Sequence, residues 1–294
     1  MRIALDGMPL ASEKTGIGHY TFELAKSLAS IAPSDDFTVV TPIPLEPSVA
    51  DDFERVPLAN LHVCCLAPRL LNRRWWSVGL PLYLRRSSFD LFHGTNYDIP
   101  LWGHLPTVLT IHDLSLLLQR EVHEEHLVRR ARRRLPLMAR AATTIVTPTQ
   151  SVKIEVCEHL RIDPDKIVVT PEAPRRIFER IDINKTGEVR KRLGIKDNFI
   201  LFVGTIEPRK NLLRLVQAFE HIVWTTPLRP QLVIAGKKGW LGDEVFAYVT
   251  KSNLNDRVNF TGYLHDEDLC ALYSSCSLFV YPSLYEGFLL LYSG

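Results

Sequence analysis

Short apolar runs alternate along this sequence with stretches of helical periodicity, and this alternation restricts the fold more than any other feature. In the first part of the chain the apolar runs are residues 3–5, 37–40, 61–64, 91–93, 108–111, 144–147 and 167–170. Between the first two runs, apolar side chains recur at the spacing of a helix with one buried face, at Phe22, Leu24, Ala25 and Leu28. Repeated strand–helix units build parallel sheets with helices on both faces. The sequence therefore predicts an α/β fold.

A second series of strand–helix units follows a break in the pattern. Residues 171–198 have mixed charge and include prolines at 171 and 174, and a short helix is expected at 187–193. New apolar runs then occur at 200–203, 232–235, 258–260 and 278–281. A chain of 294 residues is long enough for two cores. We predict an N-terminal domain at 1–172, a connection at 173–198 and a partial second domain at 199–294.

Composition excludes several classes of protein. A net charge of +2 does not produce the strong field expected of a nucleic-acid binder. The five cysteines include no Cys-x-x-Cys, so a zinc or redox site has little support. No signal peptide is recognisable, and the longest apolar runs, such as 114–118, are far shorter than the roughly 20 residues that cross a bilayer. We expect a cytoplasmic protein whose membrane contact is at most peripheral, at the inner face of the membrane.

The loop after the first strand of the second series has the composition of an anion site. Gly204 permits a tight turn after residues 200–203, and Asn211 leads into the next helix, with Arg209 and Lys210 between them. Ligands bind at the carboxyl ends of parallel strands, where the start of a helix offers free backbone N–H groups to an anion. A guanidinium and an ammonium group there suit a diphosphate. The alternative is a solvated pair of surface charges.

This loop also carries a family resemblance. The whole segment from Phe202 to Leu212 resembles the donor-diphosphate loop of family-4 (group 1) glycosyltransferases, which are retaining enzymes of the GT-B type. The resemblance implies two Rossmann-like domains that face each other across a cleft. It further implies that Arg209 and Lys210 bind the phosphates of a nucleotide sugar, with Gly204 and Thr205 beside the donor.

A second loop, residues 281–288, resembles the Glu-x7-Glu motif of the same family. In the family the first Glu approaches the donor sugar and the second binds the ribose, and a carboxylate suits both roles because it accepts two hydroxyl hydrogen bonds. Glu286 matches the first Glu, and Gly287 and Phe288 are predicted to contact the donor. The second Glu would fall at 294, where the chain has Gly294. We therefore expect a carboxyl-terminally truncated member with an incomplete second domain, as a frameshift or a prematurely ended reading frame would produce; a natural short variant is the alternative.

Two segments of the N-terminal half follow predicted strands, at the edge of the sheet where ligands are expected to bind. Gly16 and Gly18 lie between the first strand and the first helix; they lack the third glycine of a dinucleotide-binding loop, which argues against a dehydrogenase. The resemblance implies that they face the donor phosphate and the acceptor, and a plain turn is the alternative. His112 follows the strand 108–111 and resembles the family histidine beside the transferred sugar. His93 has a similar but weaker context.

Charged clusters in the same half have both a plain and a functional interpretation. The main ones are Arg129–Arg134, Arg73–Trp76 and Arg85–Arg86. A solvated helix face is the default for such clusters, and attraction to anionic lipid is the alternative. The strings Asp163-Pro164-Asp165 and Asp266-Glu267-Asp268 occur where Asp caps helices, so no metal site is assigned.

The predicted function follows from these loops. We expect a hexosyltransferase that moves a hexose from a nucleotide-diphosphate sugar to a carbohydrate or lipid-linked hydroxyl acceptor with retention, without metal or other cofactor, in polysaccharide or glycolipid synthesis. Mannose is the sugar that the resemblance favours; nucleotide and acceptor stay open. No nucleic-acid partner is expected. The alternative is an inactive remnant that binds nucleotide weakly at best.

Overall fold

The computed structural model describes residues 1–66, 74–175, 177–178 and 181–288, without the side chains of 183–185. The chain divides into two compact units. One consists of residues 1–114 and 129–172, and the other of residues 115–128 and 173–294. Each unit is built on its own parallel sheet.

The N-terminal unit contains a sheet with seven described strands in the order β3-β2-β1-β4-β5-β6-β7. All neighbouring strands of this sheet are parallel. The chain proceeds outward from β1 to β3 and then restarts at β4 on the other side of β1, so the order reverses between β1 and β4. Ligands of such sheets bind at the carboxyl ends of the strands beside this reversal. The strands are β1 Arg2–Asp6, β2 Asp36–Thr41, β3 Leu61–Cys65, β4 Leu91–Gly94, β5 Thr107–Thr110, β6 Thr144–Thr147 and β7 Ile167–Val169.

Helices cover the first sheet as its sequence pattern predicts. Phe22 and Ala25 on the first helix are buried against Leu5, Phe37 and Val39 of the sheet. Leu24 and Leu28 pack partly buried against the same cluster, which confirms the predicted inward face. The α-helices of residues 1–172 are α1 Gly16–Ile31, α2 Pro47–Glu54, α3 Leu80–Arg86, α4 Ser115–Leu118, α5 Glu125–Ala141 and α6 Gln150–Leu160.

The second unit contains four described parallel strands in the order β10-β9-β8-β11. Its strands are β8 Phe199–Val203, β9 Gln231–Ala235, β10 Val258–Gly262 and β11 Leu278–Phe279, and its further helices are α7 Ile183–Arg192, α8 Leu212–Thr225, α9 Asp243–Lys251 and α10 Asp266–Ser275. The predicted helix face at Leu212, Leu215, Val216 and Phe219 is buried in one core cluster. Burial of such side chains is worth about 1.5–3 kcal/mol each and fixes α8 on the sheet.

One boundary between the units falls after Glu172, but two segments group differently from the predicted domains. Residues 115–128 group with the second unit, where the Trp240 indole N–H donates to the Val122 carbonyl oxygen at 2.9 Å and the Trp240 ring stacks on His123. The predicted connection, 173–198, is also part of this unit, since α7 packs on α10. Hydrophobic periodicity identifies each helix but not the sheet that it covers. Strand β11 ends at Phe279, before the predicted end at 281, although the Val280 N–H still donates to the Leu201 carbonyl oxygen at 2.9 Å.

Two glycines bring the carboxyl ends of β8 and β9 into direct backbone contact. A Cβ at Gly236 would lie 2.0 Å from the Gly204 carbonyl oxygen, and Gly236 has a φ of +149°. Neither the space nor the conformation accepts a side chain. The Gly204 N–H meanwhile donates to the Ala235 carbonyl oxygen at 2.9 Å. At this edge of the sheet, the surface between β8 and β9 therefore consists of backbone atoms and carries no side chain.

A carboxyl group is buried at the carboxyl end of β1. Asp6 is 1% exposed, and its Oδ1 accepts the Met8 N–H at 2.9 Å, whereas its Oδ2 has no hydrogen-bond partner among the described residues. Burial raises the pKa of Asp6 to about 8, against the opposing effect of the Met8 hydrogen bond. The folded protein therefore retains a proton that an unfolded Asp, with a pKa of about 3.9, releases.

This difference predicts a pH-dependent stability. Between pH 4 and 8 the unfolded chain binds fewer protons at Asp6 than the folded chain, so the free energy of unfolding falls as the pH rises. In Asp6→Asn this loss is absent, and the stability of the variant relative to wild type increases with pH by at most about 1.4 kcal/mol per unit. Urea unfolding at several pH values measures the difference.

The matched control for this prediction is Asp165→Asn, which removes an exposed carboxyl of the same unit. Only a pH dependence of stability beyond that of this control is assigned to the burial of Asp6. A constant difference between Asp6→Asn and wild type would contradict the prediction.

Candidate functional site

The two loops singled out by the sequence lie side by side. Loop 204–211 leaves β8, and loop 280–288 leaves the neighbouring strand β11. The Leu284 N–H donates to the Arg209 carbonyl oxygen at 2.9 Å, and the Asn211 amide donates to the Pro282 carbonyl oxygen at 3.2 Å. The carboxyl ends of parallel strands meet at one edge, which is why segments about 75 residues apart in sequence form one site.

A short 3-10 turn presents the two cationic side chains. Residues Pro208–Lys210 form the turn, and Asn211, with a φ of +57°, turns the chain into α8. Asn tolerates this left-handed conformation better than most residues. Arg209 and Lys210 thus lie directly before the amino terminus of a helix, the end that favours anions.

Glu286 bridges the two cations. Its Oε2 accepts from Arg209 Nη1 at 2.8 Å, and its Oε1 accepts from Lys210 Nζ at 2.6 Å. The Ser283 hydroxyl donates to the same Oε1. The structure therefore brings together three of the predicted catalytic residues, Arg209, Lys210 and Glu286.

A second carboxylate, Glu207, binds the other edge of Arg209. Glu207 Oε1 accepts from Arg209 Nε at 3.1 Å and lies 3.0 Å from Nη2. The Glu207 side chain is only 4% exposed, whereas that of Glu286 is 18% exposed. Arg209 thus lies between two carboxylates, the more buried of which belongs to its own turn.

Tyr281 completes the cluster. Lys210 Nζ donates to the Tyr281 hydroxyl and lies 4.9 Å from the centroid of its ring. The ring stacks on Phe202 of β8 with centroids 5.5 Å apart and planes 9° apart. A cation above an aromatic face is stabilised by the ring electrons, so Tyr281 supports the ammonium through both its ring and its hydroxyl.

Burial and neighbouring charge shift the acid–base properties of the cluster. Burial acts to raise the pKa of Glu286, but Lys210 and Arg209 outweigh it, and the pKa lies below its usual value. Burial raises the pKa of Glu207 despite the opposing charges of Arg209 and Lys210. Burial also lowers the pKa of Lys210, and Arg209 adds to this effect. Glu286 is thus the more acidic carboxyl group, and it stays ionised beside the cations.

The remaining predicted donor residues line the same edge. Gly204 lies beside the Tyr281 ring, since a Cβ built on it would be 3.7 Å from Tyr281 Cε2, and Thr205 is half-buried beside Gly239. Gly287 is buried and Phe288 is half-buried. The prediction for Gly294 lies outside the described residues.

In the N-terminal unit, His112 is held by hydrogen bonds. Its Nε2 lies 2.9 Å from the Thr95 carbonyl oxygen, and its Nδ1 lies 3.1 Å from Glu172 Oε1. The Tyr20 ring packs edge-on against the imidazole, with centroids 4.7 Å apart. Both ring nitrogens face oxygen acceptors, so the imidazole has a fixed orientation at the carboxyl end of β5.

Two glycines of this unit, Gly16 and Gly18, differ from their predicted setting. Gly16 and Gly18 form the first turn of α1 and not a loop before it; helix formation begins directly after Thr15, whose backbone is extended. A Cβ at Gly16 would meet no atom within 4 Å, whereas one at Gly18 would lie 3.1 Å from the Pro9 carbonyl oxygen. Gly18, unlike Gly16, therefore lies in close contact with the backbone at Pro9.

His93 is buried in β4, within the predicted strand, and its Nε2 lies 2.8 Å from Thr110 Oγ1. Burial, together with the charge of His112, lowers the pKa of His93 to about 4.

The charged clusters make specific ion pairs. Arg134 of the basic helix donates to Asp98 at 2.8 Å, and Arg130 lies 3.4 Å from the same carboxylate. Trp75 is buried and unavailable to a lipid surface, because it packs into the core; Arg73 lies outside the described residues. No described helix is long and apolar enough to cross a bilayer.

The two Asp-x-Asp strings have structural roles. Asp163 Oδ1 accepts the Asp165 N–H at 2.9 Å, which caps a short 3-10 turn as expected. Asp266 receives two hydrogen bonds from Arg175, and Asp268 pairs with Arg192.

Sequence reasoning assigned no role to Glu207, Tyr281 or Ser283. A Glu two residues before an Arg on a turn is a detectable signal for Glu207, but the sequence does not show whether the pair faces inward. Tyr281 and Ser283 belong to the quoted loop, and only the pairing of β11 with β8 reveals that they reach Lys210 and Glu286.

Both halves of the chain match known protein families. The sequence matches the family described as Glycosyltransferase Family 4 over residues 14–173 and that described as Glycosyl transferases group 1 over residues 185–290. The first of these matches alone spans more than half of the chain. Together the two matches include both loops of the cluster.

Individual relatives and structures agree with the family match. The chain is 29% identical to O-antigen chain mannosyltransferase B of Escherichia coli, over 98% of this chain and 78% of that protein. It is 32% identical to the serotype-specific mannosyltransferase WbdA of Escherichia coli, over 68% of this chain and 26% of that protein.

Among solved structures, Anabaena Alr3699/HepE in complex with UDP and glucose superposes with a TM-score of 0.71 at 17% identity, covering 98% of this chain and 76% of that one. At this identity the likeness concerns the fold. The parallel sheets, the paired loops and the two family matches lead to one conclusion: this chain belongs to glycosyltransferase family 4 and has the α/β fold of the GT-B type.

Proposed function

We propose that this protein transfers a hexose from a nucleotide-diphosphate sugar to a hydroxyl acceptor, with retention at the anomeric carbon, in the synthesis of a cell-surface polysaccharide or glycolipid. The observation that carries the proposal is the pairing of Arg209 and Lys210 before the amino terminus of α8, beside Glu286. Two cations and a helix amino terminus suit the charge of a departing nucleoside diphosphate.

Its relatives support the choice of donor and pathway. HepE was crystallised with UDP and glucose, and two of the relatives are named as mannosyltransferases of O-antigen or serotype synthesis. A galactosyltransferase relative is named for a diphosphoundecaprenol acceptor. We propose mannose as the sugar and a carbohydrate or lipid-linked hydroxyl as the acceptor.

The cluster has a defined role in the proposed reaction. The bond between the anomeric carbon and the phosphate oxygen breaks, and the acceptor oxygen bonds to that carbon on the same face. The acceptor proton passes to an oxygen of the departing phosphate. Arg209 and Lys210 stabilise the charge of this leaving group, while Glu286 exchanges its bonds to the cations for hydroxyl groups of the sugar. His112, Gly16 and Gly18 stay predictions for contacts to sugar, phosphate or acceptor.

Removal of either cation tests the donor site. Arg209→Ala or Lys210→Ala should weaken the binding of GDP or UDP by about 10- to 100-fold, because a hydrogen bond to a charged group is worth about 1.5–3 kcal/mol. Isothermal titration measures the affinity. NMR of the product formed from GDP-mannose or UDP-glucose gives the rate and the anomeric configuration.

Lys251→Ala is the matched control, since Lys251 is an exposed lysine at the end of α9 in the same unit. Its nucleotide affinity should equal that of the wild type. Inverted product would contradict retention. Weak nucleotide binding without any transfer by the wild-type chain would instead support the inactive remnant.

Metal removal tests the proposed use of protein cations. Because Arg209 and Lys210 supply the positive charge at the leaving group, EDTA in large excess over adventitious metal should leave the transfer rate unchanged. Rates before and after chelation are compared, with MgCl2 added back. A loss of activity that Mg²⁺ restores would show that a metal participates.

Peripheral membrane contact is a further part of the proposal. A depression in the N-terminal unit is lined by residues that include Arg85, Leu101, Trp102 and Ala141. Leu101 is 42% and Trp102 44% exposed, and Arg85 of α3, which lines the same depression, is exposed as well. Exposed aromatic and apolar groups with nearby cations are typical of surfaces that bind anionic bilayers.

Sedimentation with liposomes tests this contact. Vesicles with anionic phosphatidylglycerol should bind more protein than neutral phosphatidylcholine vesicles. In Arg85→Glu, the excess of protein bound to the anionic vesicles should be smaller. Arg55→Glu, a charge reversal at an exposed arginine of the same unit, is the control and should bind as the wild type does. Equal binding to both kinds of vesicle would refute the membrane contact.

A further inference from the structure

We propose that Glu207 is a positioning residue: it anchors Arg209 by one edge of the guanidinium group, so that the opposite edge faces the phosphates of the donor. This role rests on the proposed function of the Arg209–Lys210 pair. It assigns to Glu207 a task distinct from that of Glu286, although both carboxylates contact the same arginine.

The two edges of the guanidinium group have different partners. Nε and Nη2 face Glu207 Oε1 at 3.1 and 3.0 Å. Nη1 faces away from that oxygen and donates to the Tyr285 carbonyl oxygen at 2.9 Å and to Glu286 Oε2 at 2.8 Å. A planar guanidinium held at Nε and Nη2 cannot rotate without breaking both contacts. Glu207 thus determines which edge is left for an anion.

The other edge of the Arg209 guanidinium group is linked to Lys210, the second cation, through Glu286. Glu286 accepts from Nη1 through one oxygen and from Lys210 Nζ through the other. An anion with two oxygens therefore already fits between Arg209 and Lys210. A phosphate group has the same kind of acceptor oxygens and can take this position when Glu286 turns to the sugar.

Burial separates the fixed carboxylate from the exchangeable one. The Glu207 side chain is 4% exposed, and its backbone is held on both sides: the Ile206 N–H donates to the Lys237 carbonyl oxygen at 2.9 Å and the Lys210 N–H to the Glu207 carbonyl oxygen at 3.0 Å. Glu286 belongs to a different loop and is more exposed. Donor binding can displace Glu286 while Glu207 stays in place.

Two variants at position 207 separate the effect of losing the hydrogen-bond acceptor from the effect of losing the negative charge. Both contacts to Arg209 use Glu207 Oε1, and a glutamine can keep that carbonyl oxygen in Glu207→Gln. Glu207→Met has the same net charge and a similar length but no acceptor. Any difference in nucleotide affinity between these two variants therefore reports the orientation of Arg209 and not the electrostatic field.

The experiment measures the dissociation constants of GDP and UDP by isothermal titration, for wild type and both variants. We expect Glu207→Gln to bind about 3- to 10-fold more tightly than wild type, because one opposing negative charge is gone. Glu207→Met should bind at least about 10-fold more weakly than Glu207→Gln, since Arg209 has lost its anchor. Glu220→Gln, which removes a charge in the middle of α8, should bind as wild type does.

A double-mutant cycle separates positioning from a general effect on folding. In the Arg209→Ala background, the difference between Gln and Met at position 207 should disappear, because there is no guanidinium to orient. Thermal unfolding of every variant confirms that the compared proteins are folded.

The outcomes distinguish this inference from the proposed function. If wild type binds nucleotide but Gln and Met at position 207 give equal affinities, or if their difference persists without Arg209, the positioning role is refuted and the proposed function stands. If wild type binds neither GDP nor UDP, the proposed function fails, and the role of Glu207 fails with it.

Discussion

Mutual neutralisation of four charged side chains is the constraint on which the site depends. Arg209 and Lys210 are largely withdrawn from water, and an unpaired buried cation would cost several kcal/mol. Glu207 and Glu286 supply two compensating charges. Because Glu286 comes from another loop, the same charge balance that keeps the cations buried also holds loop 280–288 against loop 204–211. The ion pairs that hold the two loops together therefore also keep two cations in place for an anion.

The position of this cluster follows from the order of strands in the second sheet. β8 lies between β9 and β11, so the loops after β8 and β11 emerge as neighbours. Phe202 of β8 stacks on Tyr281, which lies just after β11, and this contact holds the starts of the two loops together. The amino terminus of α8 then adds its partial positive charge to those of Arg209 and Lys210. Each contribution is modest, and together they make this edge of the sheet favourable for an anion.

The sequence predicts the strands and helices well, because their signal is local. Runs such as 200–203 and the face formed by Leu212, Leu215, Val216 and Phe219 are buried as expected. It also predicts the meeting of Arg209, Lys210 and Glu286, through parallel strands and a family resemblance.

What the sequence misses are properties decided by tertiary contacts. Whether Arg134 faces solvent or Asp98, whether residues 115–128 pack on the first or the second sheet, and whether Glu207 turns inward all depend on residues distant in the chain. Trp75 shows the same point, since an aromatic residue beside arginines is as compatible with a core as with a membrane surface.

The contact between Gly204 and Gly236 has a consequence for redesign of the enzyme. Since no side chain fits where β8 and β9 touch, this part of the edge offers a ligand only peptide groups, which are the same whatever the neighbouring sequence. Under the proposed function, selectivity for a nucleotide or a sugar then depends on the side chains of the surrounding loops. A library that aims to change the donor should therefore leave both glycines untouched and vary the surrounding loops.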